Sequence, residues 1–448
     1  MNTLAEAATE KDVYLSEFNR LEKELARRGR PAVQRLRRAA IARFDELGFP
    51  TPRNEDWKFT SLAALTKVPF RPAEPAGDSL KATQLAHILG MDAACRLVFV
   101  DGYFVSELSA MSGLPAGAVI GSLATALDES SEIVETHLGR HARFEEHAFT
   151  ALNTAFFRDG AFLLVPKGKI VEAPIHLVFV ATAPAEPTVS YPRNLIVAGD
   201  NSRLTVVESY AGLADDVTFT NAVTEIVLGD GAAVDHCKVQ QESVSAFHVA
   251  TTQVHLGRAA NFASCYVGLG GGLVRNEARA LFTGEGAECT LDGLYQLDGR
   301  QHMDNHTVID HAVPRCASHE LYKGVLDGKS RGVFNGKIFV REDAQKTDAK
   351  QTNKTLLLSE DAVINTKPQL EIFADDVKCT HGATVGQLDD EAIFYLRTRG
   401  IGLEDARGLL TYAFANDVVG RVRVESVRRR LEQALLTARR LPALSNEE

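Results

Sequence analysis

The residues whose types and spacing offer chemistry lie between Arg315 and Ile401, centred on Lys378-Cys-Thr-His-Gly382. Cys379 and His381 are two residues apart, so on a β-strand their side chains share one face. Thiolate and imidazole are ligands for soft transition metals and iron–sulfur clusters. Two ligands cannot close a four-ligand site. The pair therefore calls for a second chain to complete it.

Other constellations are weaker. His302, Asp304 and His306 would share a face of a strand and could hold a metal, but a polar ladder on a solenoid surface is the simpler expectation. The six cysteines, at 95, 237, 265, 289, 316 and 379, form no C-x-x-C, which argues against a self-contained zinc or ferredoxin-type site. There is no P-loop spacing, no G-x-S-x-G and no H-E-x-x-H, so no complete catalytic constellation is present.

The elements that must position Cys379 and His381 come from a repeat. Aligning the chain on Gly199, Gly229, Gly257 and Gly284 gives gaps of 30, 28 and 27 residues by subtraction. Three positions before each glycine stand Ile196, Ile226, Val254 and Leu281. Three after stand Ser202, Ala232, Ala260 and Ala287, and five after stand Leu204, Val234, Phe262 and Cys289. Each unit reads as strand, tight turn with a small inward residue, and strand. Leu356, Ser359, Ala362 and Ile364 read as a fifth copy without the glycine. Units too small to bury their own faces stack on neighbours, which predicts a mainly β chain with a parallel β-solenoid in preference to a β-sandwich. Cys237 and Cys265, each eight residues past a glycine, should sit in equivalent places as a ladder of small side chains, the alternative being a sulfur relay. Cys289 should point inward.

Helical periodicity flanks this core. Leu15, Phe18, Leu21 and Leu25, then Val33, Leu36, Ala40 and Phe44, predict helices broken at Gly29 and Pro31. An arm with the single tryptophan follows, and Trp57 and Phe59 are expected to pin it to the body. After about residue 388, Leu403, Ala406, Leu410, Ala413 and Phe414, then Val424, Val427, Leu431, Ala434 and Ala438, predict two helices that cap the solenoid or receive a partner. The divisions are 1–94, 95–387 and 388–448. Arg20 to Arg43 and Arg421 to Arg440 are strongly basic, although the 448-residue chain carries a net charge of −10, which argues against general nucleic-acid binding. Residues 1–14 have neither signal nor transit character, and no apolar run approaches a membrane span, so the expected compartment is the cytoplasm.

Longer runs carry a family resemblance. Leu321-Tyr-Lys-Gly-Val-Leu-Asp-Gly-Lys-Ser-Arg-Gly-Val-Phe-Asn-Gly336, Ala374-Asp-Asp-Val-Lys-Cys-Thr-His-Gly-Ala-Thr-Val-Gly386 and Phe394-Tyr-Leu-Arg-Thr-Arg-Gly-Ile401 closely resemble the SufB/SufD family of the Suf iron–sulfur cluster assembly system. Glu55-Asp-Trp-Lys-Phe-Thr60 and Tyr412-Ala-Phe-Ala415 extend the likeness over the whole chain. SufB-like chains carry Glu where Gly382 stands, and often an N-terminal cysteine cluster, whereas no cysteine precedes Cys95 here. Both departures favour the SufD branch. The resemblance implies a right-handed parallel β-helix between helical regions, and a non-catalytic scaffold that pairs with a SufB-like paralogue and a SufC-like ATPase. It implies a transient iron–sulfur cluster shared across the SufB interface, with His381 as candidate ligand and Cys379 beside it, and none held by this chain alone. It also implies that the C-terminal helical region, with Tyr412 and Phe414, receives the ATPase. A carbohydrate-active β-helix enzyme would need a carboxylate-lined calcium groove or a strict six-residue repeat, and neither is found. A stand-alone solenoid homodimer is the remaining alternative.

Overall fold

A computed structural model describes residues 2–438 apart from 26–29, 76–79, 81, 86–87, 89–92, 94, 130 and 183–185. Gly29, Arg27, Arg28, Arg439, Arg440 and the side chains of Leu25 and Ala438 lie outside the described residues.

The chain is a parallel β-solenoid of about eight turns, flanked by N- and C-terminal helices. Successive strands of the solenoid alternate between two sheets. One runs from the strand Ala161–Val165 through Arg193–Ala198, Thr218–Leu228, Phe247–Leu256, Leu273–Phe282, His302–His311 and Arg331–Val340 to Val363–Ile372. The other runs from Ile175–Ala181 through Arg203–Gly212, Ala233–Gln241, Asn261–Gly268, Glu288–Leu297, Ala317–Leu326 and Asp348–Leu357 to Lys378–Gly386. Period-two alternation sends every second residue into the lumen between the sheets. Leu204, Val234, Phe262 and Cys289 are stacked there in register and buried.

The repeat glycines are required by stacking. A Cβ on Gly199 would lie 2.7 Å from Lys167 N, and one on Gly257 would lie 2.9 Å from Leu228 O of the turn beneath. Each turn rests on backbone, so no side chain fits between. The alignment slips in two places. Ala280, not Leu281, stands in register with Val254, and Leu281 faces outward because the turn before Ala287 is one residue longer. The fifth copy is out of phase. Leu356 lies on the second sheet and Ile364 on the first, so that turn is the opposite corner. The true continuation passes through the buried Cys316 and Thr347, where no glycine marks it.

The expectation of strands from residue 95 onward does not hold over 123–156, where the helices Leu123–Glu129, Ser131–His137 and Ala148–Phe156 intervene. The last is buried on nearly every side, so no amphipathic period is visible in its sequence. The helices Asn2–Leu25 and Pro31–Leu47 pack against it through Phe18, Leu21, Val33, Ala40 and Phe44, and the joint core continues onto Phe219 and Val249 of the first sheet.

The C-terminal helices do not cap the solenoid end. The helix Leu403–Val419 and the helix Glu425–Ala438 lie along the outer face of the second sheet, packing Ala415, Val418, Val422, Val427 and Leu431 on Val207, Val239, Val267 and Leu294. Their basic residues serve that docking: Arg421 meets Asp292, Arg423 meets Asp235, and Arg430 donates to Ile88 O and Gln241. At the N-terminal end of the solenoid, short antiparallel strands cover the edges of both sheets. Nothing equivalent follows Val363–Ile372 and Lys378–Gly386 among the described residues.

Candidate functional site

The candidate site is this open end. Among the described residues, the strand Lys378–Gly386 pairs with Asp348–Leu357 alone, and its other edge is free. Register places Cys379 on Ala349 and His381 on Gln351, both of which are buried in the lumen. The two side chains therefore share the inward face. Cys379 is half-buried and touches the lumen core, whereas His381 is exposed because no further turn covers it. Burial pushes the Cys379 thiol above its ordinary value, so thiolate character has to come from a metal or a partner charge. Among the described residues, no group of three or more His, Cys, Asp or Glu side chains converges as a metal site.

Beneath His381 the lumen is polar. One column of the second sheet runs Leu291, Glu320, Gln351, His381 in register. Gln351 Nε2 donates to Glu320 Oε2 at 2.8 Å. Glu320 is buried, and desolvation pushes its carboxyl up to about 7.

The other sequence candidates resolve differently. His302, Asp304 and His306 do share an outer face, but Asp304 is held by Arg275 at 2.7 Å and by Thr60 at 2.5 Å, and His306 sits 2.9 Å from it. Burial raises the Asp304 carboxyl, yet Arg275 and His306 outweigh burial and hold it below the usual range. Arg275 also stacks on Trp57 at 4.1 Å and donates to Asp56 O. A guanidinium occupies the place of the supposed metal, and the cluster clamps the arm. Trp57 pins that arm as expected, while Phe59 is exposed. Cys237 and Cys265 are in register on successive turns, but they face outward beneath the C-terminal helices rather than into the lumen. Burial drives the Cys237 thiol to about 12 and the Cys265 thiol well above its ordinary value, as for inert packing thiols. Cys289 does point inward.

Tyr412 and Phe414 are half-buried. Tyr412 packs on the core between helices and sheet, and Phe414 lies under Lys323 Nζ at 4.4 Å while its carbonyl accepts from the same amine. The exposed apolar residues of this region are Phe394, Tyr395, Leu403 and Leu409. Sequence periodicity counted Leu403 in an apolar face and left Phe394, Tyr395 and Leu409 out of it, because an apolar residue on a helix reads as core until the partner face is known.

Fold and site define a class: a two-sheet parallel β-solenoid with a covered first turn and an uncovered last turn that carries a cysteine–histidine pair. Comparison with known proteins gives the family. Residues 179–414 match the SUF system FeS cluster assembly, SufBD core domain, and residues 8–177 match the SufBD protein N-terminal region. The chain is 35% identical over 407 residues to an iron-sulfur cluster assembly SufBD family protein of Synechocystis sp., covering 89% of each. It is 33% identical over 386 residues to the iron-sulfur cluster assembly protein SufD of Escherichia coli, covering 86% of this chain and 88% of that one. It is 30% identical over 434 residues to the SufD of Bacillus subtilis, covering 93% and 95%. The chain belongs to the SufBD family of iron–sulfur cluster assembly proteins. No described helix is long and apolar enough to cross a membrane.

Proposed function

We propose that this chain is a non-catalytic scaffold subunit. It pairs through its open solenoid end with a SufB-like paralogue and through its C-terminal helical region with a SufC-like ATPase, in a reducing cytoplasm. Cys379 and His381 supply one side of a transient iron–sulfur site, and the paralogue supplies the other. The observation that carries this reading is the free edge of the strand Lys378–Gly386, which presents both residues beside exposed Val385 and Phe373. A free strand edge is a template for pairing, and a shared ligand set lets a scaffold release what it holds. The regions 1–94, 95–387 and 388–448 then divide the work as clamp, ligand-bearing solenoid and ATPase seat. Tyr412 and Phe414 shape the seat from beneath, and Phe394, Tyr395, Leu403 and Leu409 offer its apolar surface.

Co-expression with both partners and anaerobic purification tests the reading. The three chains should copurify, and His381→Ala should leave assembly intact while lowering iron and sulfide per complex about tenfold or more. Unchanged cluster content in His381→Ala, or recovery of this chain alone, overturns it.

A further inference from the structure

The column beneath the rim carries chemistry that folding alone does not require. Gln351 is 1% exposed and Glu320 4% exposed, in a stretch of lumen where Tyr295, Tyr322, Phe334 and Ile338 pack beside the buried polar Thr307, Asn353 and Thr355. An apolar pair would pack there without the desolvation cost of a carboxyl and an amide. The amide is also fixed in place. Gly336 faces it across the lumen, and a Cβ there would collide with Gln351 Nε2. With Nε2 committed to Glu320 Oε2, the carbonyl end of the planar amide is turned away from Glu320. Gln351 Oε1 is buried and has no hydrogen-bond partner among the described residues. The next turn in that column carries His381, about 4.8 Å further along the solenoid.

We propose that Gln351 and Glu320 are positioning residues for His381: the Gln351 carbonyl oxygen accepts one ring N–H, leaving the other nitrogen free to ligate iron, and Glu320 holds the amide in that orientation. A ligating histidine needs its second nitrogen anchored, because the anchor selects the tautomer and aims the ring. The amide accepts one N–H and donates another, so it passes the orientation of a buried carboxyl to a rim that solvent reaches. The proposal deepens the reading of His381 as a cluster ligand and rests on it for its purpose, although the ring geometry is measurable without any cluster.

The test is the tautomer of His381 in the full-length chain, read by long-range nitrogen–proton NMR on histidine-labelled protein with the ring in its neutral form. The resonance is assigned by its loss in His381→Ala. Wild type and Glu320→Gln, which keeps an acceptor for the Gln351 amide, should show one dominant tautomer. Gln351→Leu and Glu320→Leu should show a mixture. Gly336→Ala replaces neither residue but pushes the Gln351 amide aside, and should give the same mixture, so the proposal does not depend on one variant folding. In the copurified complex, Gln351→Leu should weaken iron retention by about 10–100-fold. A mixed tautomer in wild type, or a single tautomer retained in Gln351→Leu and Gly336→Ala, overturns the proposal. If instead His381→Ala keeps its cluster while the tautomer results hold, the shared-ligand reading fails and the positioning geometry stands.

Discussion

Arg193→Met should destabilise the protein by about 3–5 kcal/mol, the loss expected when one partner of a buried ion pair is removed. Arg193 and Glu225 are both fully buried, with Nη2 to Oε2 at 2.6 Å. The pair joins three parts of the chain. Arg193 also donates to Asn153 and Thr154 of the helix Ala148–Phe156, and Glu225 accepts the backbone N–H groups of Gly139, His141 and Ala142. Burial alone would raise the Glu225 carboxyl, but Arg193 and those N–H groups hold it below its ordinary value. Without the guanidinium, burial regains ground and the charged form becomes costly. The deficit should therefore narrow on acidification, as Glu225 takes up a proton. Arg193→Met with Glu225→Gln should recover part of the loss, because the neutral amide still offers an oxygen to the His141 and Ala142 N–H groups that share Oε1, while its NH2 cannot accept from Gly139 as Oε2 does. Urea unfolding followed by circular dichroism measures the total. Trp57, the single tryptophan, packs on Phe149 and reports the arm by fluorescence. In the variant the fluorescence transition should come first, since the pair ties down the helix on which Trp57 rests. A loss below about 1 kcal/mol, or no recovery in the double variant, would refute this account.

That pair also marks the limit of what the sequence discloses. The solenoid was legible because stacking is periodic: Gly199, Gly229 and Gly257 must be glycine where turn meets turn, and the inward Leu204, Val234 and Phe262 follow at fixed offsets. Legibility failed at Cys316 and Thr347, where turns of other lengths do the same work without glycine. Arg193 and Glu225 gave no signal, because a charged residue on an alternating strand reads as surface. Here it faces outward under a helix instead of into solvent. The pair Cys379 and His381 was legible as chemistry, since the i, i+2 spacing fixes their common face. Their isolation at an open end was not, because the sequence placed the C-terminal helices over that end. The outer face of the second sheet, with Cys237, Val239 and Cys265, competes for the same helices and buries them more fully. Likewise, His302, Asp304 and His306 had the spacing of a ligand set, and only Arg275 and Thr60, 27 and 242 residues from His302 by subtraction, show that the set is a clamp.

Glu320→Gln should make the protein more stable at pH 8 and nearly unchanged at pH 4.5. The Glu320 carboxyl is pushed from an ordinary 4.5 up to about 7 by burial in the lumen. A carboxyl raised in the folded state binds its proton more tightly there than in the unfolded chain. Its stabilising contribution is present in full below the unfolded value and is lost as pH rises through the folded one. For a shift of this size the loss amounts to about 3 kcal/mol between pH 4.5 and 8. Glutamine keeps the acceptor for Gln351 Nε2 and carries no titrating group, so the variant escapes the loss. Thermal unfolding midpoints at half-unit steps from pH 4.5 to 8 should fall in wild type relative to the variant, with the gap opening between about pH 4.5 and 7 and levelling off above it. Parallel curves would mean that Glu320 is solvated in the folded chain and that the lumen is wetter than its packing implies. A gap that opens as expected has a functional consequence. Between pH 6 and 8 the acid beneath the rim changes charge, so neutral pH holds the open end of the solenoid less tightly than acid does. On the proposed reading of a site shared with a second chain, low local stability of this turn would favour release of what it holds. The same substitution should then stiffen the rim, and hydrogen exchange in the strand Lys378–Gly386 should slow in Glu320→Gln at pH 8 and not at pH 4.5.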